Sequence, residues 1–392
     1  MREVVVVSAV RTAIGSFGGS LKNITPADMA GQVVSAAMAR SGVSAESVGH
    51  CVFGNVIHTQ AQDMYMARVA GINGGLPESV PAVTVNRLCG SGLQAVIQAA
   101  QQVQLGQADA VVAGGAESMS QAPYWLPTAR FGQRMGNGEM VDAMNSALHC
   151  PFNQIHMGVT AENVAEKYGI SREQQDQLAL HSHQSAQRAI EQGYFEEQIV
   201  PVELKSRRGT TEFRQDEHVR MDAQLADFEK LRPVFKKDGT VTAGNASGLN
   251  DAAAALVLMD AEAAKAQGLT SMARLVDYST VGVDPLYMGI GPVPAIEQIL
   301  ERQGLGVNDI DLYEVNEAFA GQALAVAKEL DLPAEKLNPN GSGISLGHPI
   351  GATGAVITVK AVHELNRIQG RYAMVSLCIG GGQGIAALFE RS

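Results

Sequence analysis

The sequence predicts an α/β protein made of two similar halves, the first of which is interrupted by a long insertion. Short runs of β-branched and other apolar residues alternate with segments of helical spacing, which is typical of a mainly parallel sheet. The first half contains NRLCGSG, a helix and DAVVAGGAES, and the second half matches it with SLGHPIGATG, a helix and YAMVSLCIGGGQG. Between Ser118 and about Gly248 the chain is more polar and breaks the repeat.

In the first half, strands are expected where apolar residues run together between turn residues. Helices are expected where apolar residues recur at helical spacing, and Thr25 can cap a helix that starts at Pro26. In chain order we predict a strand over Val4–Val10, a helix over Pro26–Arg40, strands over His50–Gly54 and Ala82–Val85, a helix over Leu93–Leu105 and a strand over Ala110–Ala113.

The second half repeats this alternation. A strand over Ala252–Met259, directly after the insertion, is expected to be the counterpart of the strand that ends the chain. We predict further strands over Ala273–Val276, Asp311–Val315, Tyr372–Cys378 and Ile385–Glu390, and helices over Pro294–Arg302, Gly321–Leu330 and about Ala355–Asn366.

The composition excludes several classes of protein. With 46% hydrophobic and 18% charged residues the chain is expected to fold, and 42 glycines without a collagen-like period indicate tight turns and close backbone contacts. A net charge of −11 argues against nucleic-acid binding. The four cysteines form no CxxC pair, which argues against a disulfide framework or structural zinc. The first apolar run is too short for a signal peptide and no stretch is long enough to span a membrane, so we expect a cytoplasmic protein.

Basic residues cluster in the insertion. Residues 201–240 hold nine basic and eight acidic side chains, in a chain that is otherwise acidic. If charge attracts an anionic ligand, this segment is the first candidate, although charge alone favours a solvated surface with ion pairs. The basic residues are Lys205, Arg207, Arg208, Arg214, Arg220, Lys230, Arg232, Lys236 and Lys237.

Three reactive side chains lie in glycine-rich loops beside predicted elements. Cys89 lies where a strand turns into a helix, and the helix dipole should lower the pKa of its thiol. His348 lies in the matching loop of the second half and could accept a thiol proton near neutral pH. Cys378 ends a strand just before Gly380, where free backbone N–H groups could form an oxyanion hole. Together they indicate acyl chemistry, whereas each residue alone could be structural.

A second group of polar residues follows a predicted strand. Asn316 and Glu317 would lie in the crevice at the carboxyl ends of the strands, where α/β proteins bind ligands. An ordinary helix cap is the alternative for Asn316. The residues to which their local sequence assigns only packing roles are Cys51, Cys150, His156, Met157 and Met288.

Seven motifs, taken in order along the chain, resemble those of the thiolases. They cover the chain from Val4 to the C-terminus, no motif position departs from the family pattern, and the bacterial biosynthetic acetyl-CoA acetyltransferase and β-ketothiolase branch is the most similar. The motifs are NRLCGSGLQA, GGAESMS, HMGVTAEN, GNASGLNDAAAA, NEAFA, NPNGSGISLGHPIGATGA and CIGGGQGIA.

The resemblance implies a duplicated, five-layered αβαβα fold with an inserted loop domain that carries coenzyme A. The implied boundaries are residues 1–119 with 250–268 for the N-terminal half, 120–249 for the loop domain and 269–392 for the C-terminal half. It also implies a homodimer or homotetramer that acts on acetyl-CoA, acyl-CoA, 3-ketoacyl-CoA and CoA, with no cofactor or metal beyond these thioesters and no nucleic-acid or membrane partner.

The resemblance further implies a role for each motif residue. Cys89 is the acylated nucleophile, His348 activates it and protonates the departing CoA, and Cys378 deprotonates the α-carbon of the second acyl-CoA. Asn316, through a bound water, and His348 stabilise the enolate oxygen, while the N–H groups of Cys89 and Gly380 form another oxyanion hole. Arg220 matches a nucleotide contact, and the pantetheine tunnel matches Leu148, His156, Met157, Phe235, Ala243, Ser247, Leu249, Met288, Ala318 and Phe319.

Two other functions are kept as alternatives. A β-ketoacyl synthase-like condensing enzyme shares the nucleophilic cysteine but takes its acyl groups from a carrier protein, and usually places two histidines, or a histidine and an asparagine, beside the nucleophile. Cys378 in CIGGGQG favours a thiolase instead. An inactive acyl-CoA-binding scaffold would lack a catalytic residue, whereas Cys89, Asn316, His348 and Cys378 are all present. The sequence leaves the acyl chain length and the physiological direction open.

Overall fold

The structure is a computed structural model that describes residues 1–207 and 209–392. Its strands are β1 (Val4–Thr12), β2 (Gly15–Ser16), β3 (Val48–Gly54), β4 (Ala82–Val85), β5 (Ala110–Ser118), β6 (Tyr124–Trp125), β7 (Val141–Asp142), β8 (Ile199–Val200), β9 (Val202–Ser206), β10 (Gly209–Phe213), β11 (Asn250–Asp260), β12 (Ala273–Gly282), β13 (Leu312–Val315), β14 (Tyr372–Ile379) and β15 (Gln383–Arg391). Its α-helices are α1 (Pro26–Ser41), α2 (Met66–Asn73), α3 (Ser91–Gln104), α4 (Ala143–Ala147), α5 (Met157–Tyr168), α6 (Arg172–Glu191), α7 (Leu225–Glu229), α8 (Ala261–Ala266), α9 (Pro292–Gln303), α10 (Ala320–Leu330), α11 (Gly343–Leu346) and α12 (Thr353–Arg367). Short 3-10 helices cover Ala45–Ser47, Ala61–Tyr65, Met119–Gln121, Ala129–Phe131, Pro285–Ile290, Val307–Asp309 and Ala334–Lys336.

Across the described ranges, one mixed sheet of eleven strands joins the two halves. In the first half β3 lies parallel to β5, and β11 runs antiparallel between β5 and β1. In the second half β13 lies parallel to β14, and β15 runs antiparallel between β14 and β12. The halves meet where residues 4–6 of β1 pair antiparallel with residues 273–275 of β12. The same strand order on both sides of this junction confirms the predicted duplication.

The strands of the two halves form two β layers, and the helices form three layers outside and between them. Helices α1 and α2 pack on the strands of the first half, and α9 packs on those of the second half. Between them, α3 and α12 pack against each other and against strands of both halves. The buried face of α12 extends around nearly the whole helix, as expected for a helix in a central layer. The resulting αβαβα order confirms the five-layered architecture. Within the described residues, no helix combines the length and apolar character that crossing a bilayer requires.

Several strands run further than the sequence predicts. Strand β5 passes through Gly114 and Gly115, where the prediction ended it, and continues to Ser118. A Cβ atom at Gly114 would lie 2.2 Å from the carbonyl oxygen of Ala254, and one at Gly115 would lie 2.5 Å from the carbonyl oxygen of Gly351. These glycines therefore mark places where other backbone lies against the strand, and the strand does not end there.

Between β5 and β11 the chain rejoins the sheet through the two-residue strand β8, which pairs parallel with β1. Much of this segment is helical, with α5 and α6 as its longest elements. The side chain of Arg11 in β1 anchors this segment. Its Nη1 and Nη2 donate to Oδ1 and Oδ2 of Asp216 at 2.7 and 2.9 Å, and both side chains are fully buried. Its Nε donates to Oε1 of Gln198 at 2.7 Å. A paired and hydrogen-bonded guanidinium thus fixes the insertion to the first strand.

We predict that Asp216→Asn lowers the free energy of unfolding by about 3–5 kcal/mol, because it leaves the buried Arg11 charge without a negatively charged partner. Urea denaturation followed by circular dichroism measures the change. Glu212→Gln is the matched control, since it breaks the exposed ion pair with Arg214 and should cost less than about 1 kcal/mol. Equal losses in the two variants would contradict an anchoring role for the buried pair.

Candidate functional site

A cavity of ≈ 390 Å³ opens where the insertion meets both halves of the fold. The predicted residues that line it are Cys89, Leu148, His156, Met157, Phe235, Ala243, Ser247, Leu249, Met288, Ala318, Phe319, His348, Cys378 and Gly380. Other lining residues, which the sequence did not single out, are Leu88, Met119, Met144, Asn145, Ala147, Val234, Thr242, Ala246, Gly248 and Ile350. Most of these are small or apolar, so their residue types carry no chemical signal.

Three predicted site residues are not part of the cavity wall. Glu317 is buried beside the site, where it accepts from the Ser182 hydroxyl at 2.6 Å and from the Asn338 amide at 3.0 Å. Asn316 lies behind His348, with its Nδ2 atom 3.4 Å from Nδ1 of the histidine. Arg220 is exposed on the insertion, with its guanidinium carbon 5.8 Å from the centre of the Phe228 ring. The structure therefore places Asn316 next to His348, whereas Arg220 lies on the surface, outside the cavity.

Cys89 lies in a strained turn that precedes α3. Leu88, just before it, has a φ of 44°, in the left-handed region that bulky residues rarely adopt. The turn is closed by N–H bonds from Gly90 to Arg87 O at 3.0 Å and from Ser91 to Leu88 O at 2.9 Å, and the Ser91 hydroxyl also donates to Leu88 O at 2.7 Å. This turn holds the thiol at the end of the cavity. The strained Leu88 is a feature that the sequence did not reveal.

The two reactive loops are held together by a crossing of α3 and α12. A Cβ atom at Gly92 would lie 2.5 Å from the backbone nitrogen of Ala355, and one at Gly354 would lie 2.2 Å from that of Leu93. Only glycine permits such a backbone contact. Because Cys89 and His348 lie just before these helices, the crossing places both at the same cavity.

The pKa of the Cys89 thiol differs from the sequence expectation. Burial raises this pKa to about 11, although the backbone N–H groups of Gly380 and of Cys89 itself lower it. Cys89 is half-buried, and this partial loss of solvent outweighs the effect of the helix terminus on its pKa. Near neutral pH Cys89 is therefore a thiol, and its activation depends on a base.

Cys378 lies near the end of β14 and shares an apolar cluster with Met157, Met288 and Phe319. Burial raises the pKa of its thiol, and the neighbouring Cys89 raises it further. Beyond it, Gly381 and Gly382 both have a φ of 85°, which turns the chain into β15. This turn leaves the N–H group of Gly380 facing Cys89.

His348 is almost completely buried, and its two ring nitrogens have different surroundings. Nδ1 lies 2.7 Å from Oγ1 of Thr353, whereas Nε2 has no hydrogen-bond partner among the described residues. Its backbone N–H donates to Oδ1 of Asn250 at 2.9 Å. Burial lowers the pKa of the imidazole to about 4, so the ring is neutral near neutral pH and can accept a proton.

Asn316 does not act as the helix cap that the sequence left open, because Phe319 occupies the N-cap position of α10. The backbone N–H of Asn316 donates to Ser376 O at 2.9 Å, which ties it to the strand before Cys378. Its buried Oδ1 atom finds no partner within residues 1–207 and 209–392. An orphaned polar atom at this depth is available to a substrate or a bound water.

Aromatic rings form the wall of the cavity on the insertion side. His156 stacks on Phe235, with ring centres 4.6 Å apart, and Phe235 meets Phe319 edge to face at 6.4 Å. Nδ1 of His156 accepts the N–H of Gly158 at 3.0 Å, and burial lowers the pKa of the ring to about 4. A side chain at Gly158 would collide with Phe235, so this glycine is required by the stacking.

Glu117 is a buried residue that joins two loops beside the site, and the sequence analysis did not identify it. Its carboxyl group accepts the backbone N–H groups of Val56, Ile57 and Gly351 at 2.8–3.1 Å, and the side-chain amide of Asn55 at 3.2 Å. Burial raises its pKa to about 8 against these donors. Glu117 thereby ties the loop after His348 to the end of β3. The sequence analysis missed Glu117 because it lies four residues beyond the expected end of β5.

Members of the basic cluster are partly neutralised by acidic neighbours. Lys230 pairs with Asp227 at 2.8 Å, Lys236 lies 3.8 Å from Glu166, and Arg214 pairs with Glu212. Arg208 lies outside the described residues. These ion pairs fit the solvated-surface interpretation, and the anion site stays a prediction. Among the described residues, no group of histidine, cysteine, aspartate and glutamate has the geometry of a metal site.

Comparisons with known proteins agree over the whole chain. The family model for the thiolase N-terminal domain matches residues 4–262, and that for the thiolase C-terminal domain matches residues 269–391. The chain is 64% identical to beta-ketothiolase BktB of Cupriavidus necator, with 100% of this chain and 99% of the relative covered. Among solved structures it is similar to Bacillus anthracis acetyl-CoA acetyltransferase (51% identity, TM-score 0.97, covering 100% and 99%). It is also similar to human mitochondrial 3-ketoacyl-CoA thiolase in complex with CoA (46% identity, TM-score 0.97, covering 100% and 98%).

We predict that alkylation of Cys89 by iodoacetamide keeps accelerating as the pH rises toward about 11, because burial raises the thiol pKa to that value. Mass spectrometry of the peptide that contains Cys89 measures the rate. Cys51, which is buried away from the cavity, is the internal control and should remain unmodified. A rate that levels off near neutral pH would instead support the lowered pKa expected from the helix terminus.

Proposed function

Since this chain belongs to the thiolase family and is an acyltransferase that catalyses Claisen condensation and the reverse thiolysis, we propose that it works through a Cys89 acyl-enzyme. Acetyl-CoA and a short acyl-CoA are its substrates for condensation, and acetoacetyl-CoA or a related 3-ketoacyl-CoA is the product. The reaction requires only these CoA thioesters and the side chains of the protein.

One observation carries this proposal: Cys89, His348, Cys378 and the N–H group of Gly380 lie at the same cavity, and Nε2 of His348 has no other partner among the described residues. A nucleophile, a base, a second proton carrier and an oxyanion donor are the parts that acyl transfer followed by carbon–carbon bond formation needs.

Acylation begins from a neutral pair. Because burial raises the pKa of Cys89 to about 11 and lowers that of His348 to about 4, a resting thiolate–imidazolium pair is disfavoured. The thiol therefore gives its proton to Nε2 of His348 as its sulfur attacks the thioester carbonyl. The N–H groups of Cys89 and Gly380 hold the oxyanion, and each such donor is typically worth about 3 kcal/mol.

Cys378 then supplies the proton that the departing CoA sulfur needs. This differs from the sequence expectation that His348 protonates the CoA sulfur, and it follows from the need to turn Cys378 into a base: burial raises the pKa of Cys378, so this residue starts as a thiol. A protonated Cys378 cannot act as a base until it has lost its proton, and the leaving thiolate is an acceptor that the reaction itself provides. The remaining Cys378 thiolate takes the α-proton of the second acetyl-CoA.

The imidazolium form of His348 completes the cycle. Its Nε2–H, together with a water held by Asn316, stabilises the enolate oxygen while the enolate attacks the acyl group on Cys89. When the new ketone forms, Cys89 leaves as a thiolate and recovers its proton from His348. Cys378 is again a thiol because it kept the α-proton, so every proton is accounted for. Thiolysis runs the same steps in reverse.

We assign CoA binding to the insertion, residues 120–249. Residues 1–119 and 250–268 form the N-terminal half, and residues 269–392 form the C-terminal half. The pantetheine chain lies along the His156, Phe235 and Phe319 rings, whose stacking leaves a flat apolar wall. Arg220 is exposed outside the cavity mouth, where a nucleotide phosphate would lie in solvent. The residues that hold the acyl end are the apolar ones near Cys89.

A carrier-protein-dependent synthase is not favoured. Its usual partner for the nucleophile is a second histidine or an asparagine, whereas the second proton carrier at this cavity is Cys378. The similarity to relatives named β-ketothiolase and 3-ketoacyl-CoA thiolase also supports CoA thioesters as substrates.

We also propose that the protein is a homodimer or homotetramer. Strand β4 lies at the edge of the sheet and Val83 is exposed on it. The hairpin that contains β6 and β7 exposes Trp125, Phe131, Met135 and Met140, and such a group of large apolar side chains is typical of a protein interface. An open edge strand beside an apolar hairpin supports association of copies of this chain.

We predict that Cys89→Ala forms no acyl-enzyme. Cys378→Ala should still be acylated by acetyl-CoA, because CoA can depart as a thiolate, but should lose turnover by roughly 10²- to 10⁴-fold, because the α-proton transfer requires Cys378. Mass spectrometry of the intact protein measures acylation, and a spectrophotometric thiolysis assay with four-, five- and six-carbon 3-ketoacyl-CoAs measures turnover and chain length.

Cys51→Ala is the matched control for these variants, since it removes a buried thiol that does not line the cavity. It should keep its turnover. Near-normal condensation by Cys378→Ala would contradict the role given to that residue, and turnover with carrier-protein thioesters but not CoA thioesters would favour the synthase.

We predict that Phe131→Ser combined with Met135→Ser lowers the mass in solution, because both exposed apolar side chains would then be lost from the hairpin. Size-exclusion chromatography with light scattering measures this mass. Glu139→Ser, on the same hairpin, is the control and should leave it unchanged. A wild-type protein that is monomeric would contradict the proposed assembly.

A further inference from the structure

The proton on the His348 ring can be placed by counting hydrogen-bond donors around Thr353. Oγ1 of Thr353 lies 2.7 Å from Nδ1 of His348 and 2.8 Å from the carbonyl oxygen of Pro349. A carbonyl oxygen can only accept, and a threonine hydroxyl has one proton to donate. If that proton pointed at the ring, two oxygen atoms with no proton between them would face each other at 2.8 Å.

Only one placement of the protons satisfies both contacts of the Thr353 hydroxyl. The Thr353 hydroxyl donates to Pro349 O, one helical turn earlier, and accepts a proton from Nδ1 of His348. Nδ1 therefore carries the proton of the neutral ring, and Nε2 carries a lone pair. Since Nε2 is buried and unpartnered among the described residues and His348 lines the cavity, that lone pair is free for the thiol proton.

Asn316 is the competing neighbour. Its Nδ2 is a donor that lies 3.4 Å from Nδ1 and would favour the opposite tautomer. The contact is 0.7 Å longer than the one to Thr353, so it is a weak competitor. The Oδ1 atom of Asn316 takes no part in this contact and has no partner among the described residues, so it can hold a water in either tautomer of His348.

We propose that Thr353 is a positioning residue that holds His348 in the tautomer with its proton on Nδ1, so that Nε2 can act as the base. The functional part of this proposal rests on the proposed thiolase mechanism, and the tautomer itself does not. Thr353 is the first residue of α12, whose crossing with α3 at Gly354 fixes it in place. The hydroxyl remains an acceptor when His348 becomes an imidazolium, so one contact serves both states of the ring.

The test compares Thr353→Val with Thr353→Ser. Valine has the shape of threonine but no hydroxyl, whereas serine keeps the hydroxyl. Thr358→Val is the matched control, because Thr358 is equally buried on the same helix and donates the same type of bond, to Gly354 O at 2.7 Å, but does not touch His348. Any loss caused only by removing a buried hydroxyl from α12 will appear in this control.

Two readouts are needed. ¹⁵N NMR of histidine-labelled protein reports which ring nitrogen carries the proton, and the His348→Gln spectrum identifies the His348 signals. Steady-state thiolysis gives kcat and KM separately. We expect the Nδ1–H tautomer in the wild type, in Thr353→Ser and in Thr358→Val, and its loss in Thr353→Val. The kcat of Thr353→Val should fall roughly 10- to 100-fold, the loss seen when the hydrogen-bond partner of a metal-ligating histidine is removed. Its KM should change little, and serine should recover most of the turnover.

Either of two results would overturn the proposal: a wild-type His348 with its proton on Nε2, or a Thr353→Val variant that keeps the Nδ1–H tautomer. Equal losses of kcat in Thr353→Val and Thr358→Val would also do so, since they would indicate a helix defect. Normal turnover by His348→Gln would instead contradict the proposed function, and the NMR result would still decide the role of Thr353.

Discussion

The backbone contact between α3 and α12 is the constraint on which the site depends. Gly92 and Gly354 allow the first turns of these helices to touch, and each helix belongs to a different half of the duplicated fold. The loop before each helix carries one reactive group, Cys89 or His348. Because the helices touch at their first turns, the two loops lie close to each other at the cavity. Strand β14 then adds Cys378 from the second half, and Glu117 ties the loop after His348 to the first.

The chemistry of the site follows from the absence of charge at rest. Burial shifts the pKa values of Cys89, His348 and Cys378 in different directions, but each shift favours the neutral form. In the proposed mechanism the positive charge on His348 is therefore always balanced by one negative charge, which passes from the departing CoA sulfur to Cys378. A resting thiolate would attack other electrophiles, whereas a thiol that ionises only against a bound thioester is selective.

Much of this arrangement could be predicted from the sequence, because it is encoded locally. The alternation of strands and helices, the repeat of the two glycine-rich loops and the motif residues at the cavity are all visible there. What could not be predicted depends on distant neighbours. The pKa of Cys89 is set by burial from several elements, the course of β5 through Gly114 is set by Ala254, and the roles of Glu117 and Thr353 require knowing which loops face them. The sequence also could not show that Arg220 lies outside the cavity, because a charge pattern does not specify where a side chain lies in the fold.

Trp125 has a practical consequence for following this protein in solution. It is the only tryptophan in the 392 residues, it is about half exposed, and it lies on the apolar hairpin beside a shallow depression that Leu88 also lines. Intrinsic fluorescence excited at the indole band therefore comes from one known place, free of emission from the core. A blue shift on concentrating the protein would report the hairpin leaving water, and quenching on adding thioester would report movement at the residue next to the nucleophile. The chain thus contains its own optical probe between the surface where copies would meet and the turn where acyl transfer begins.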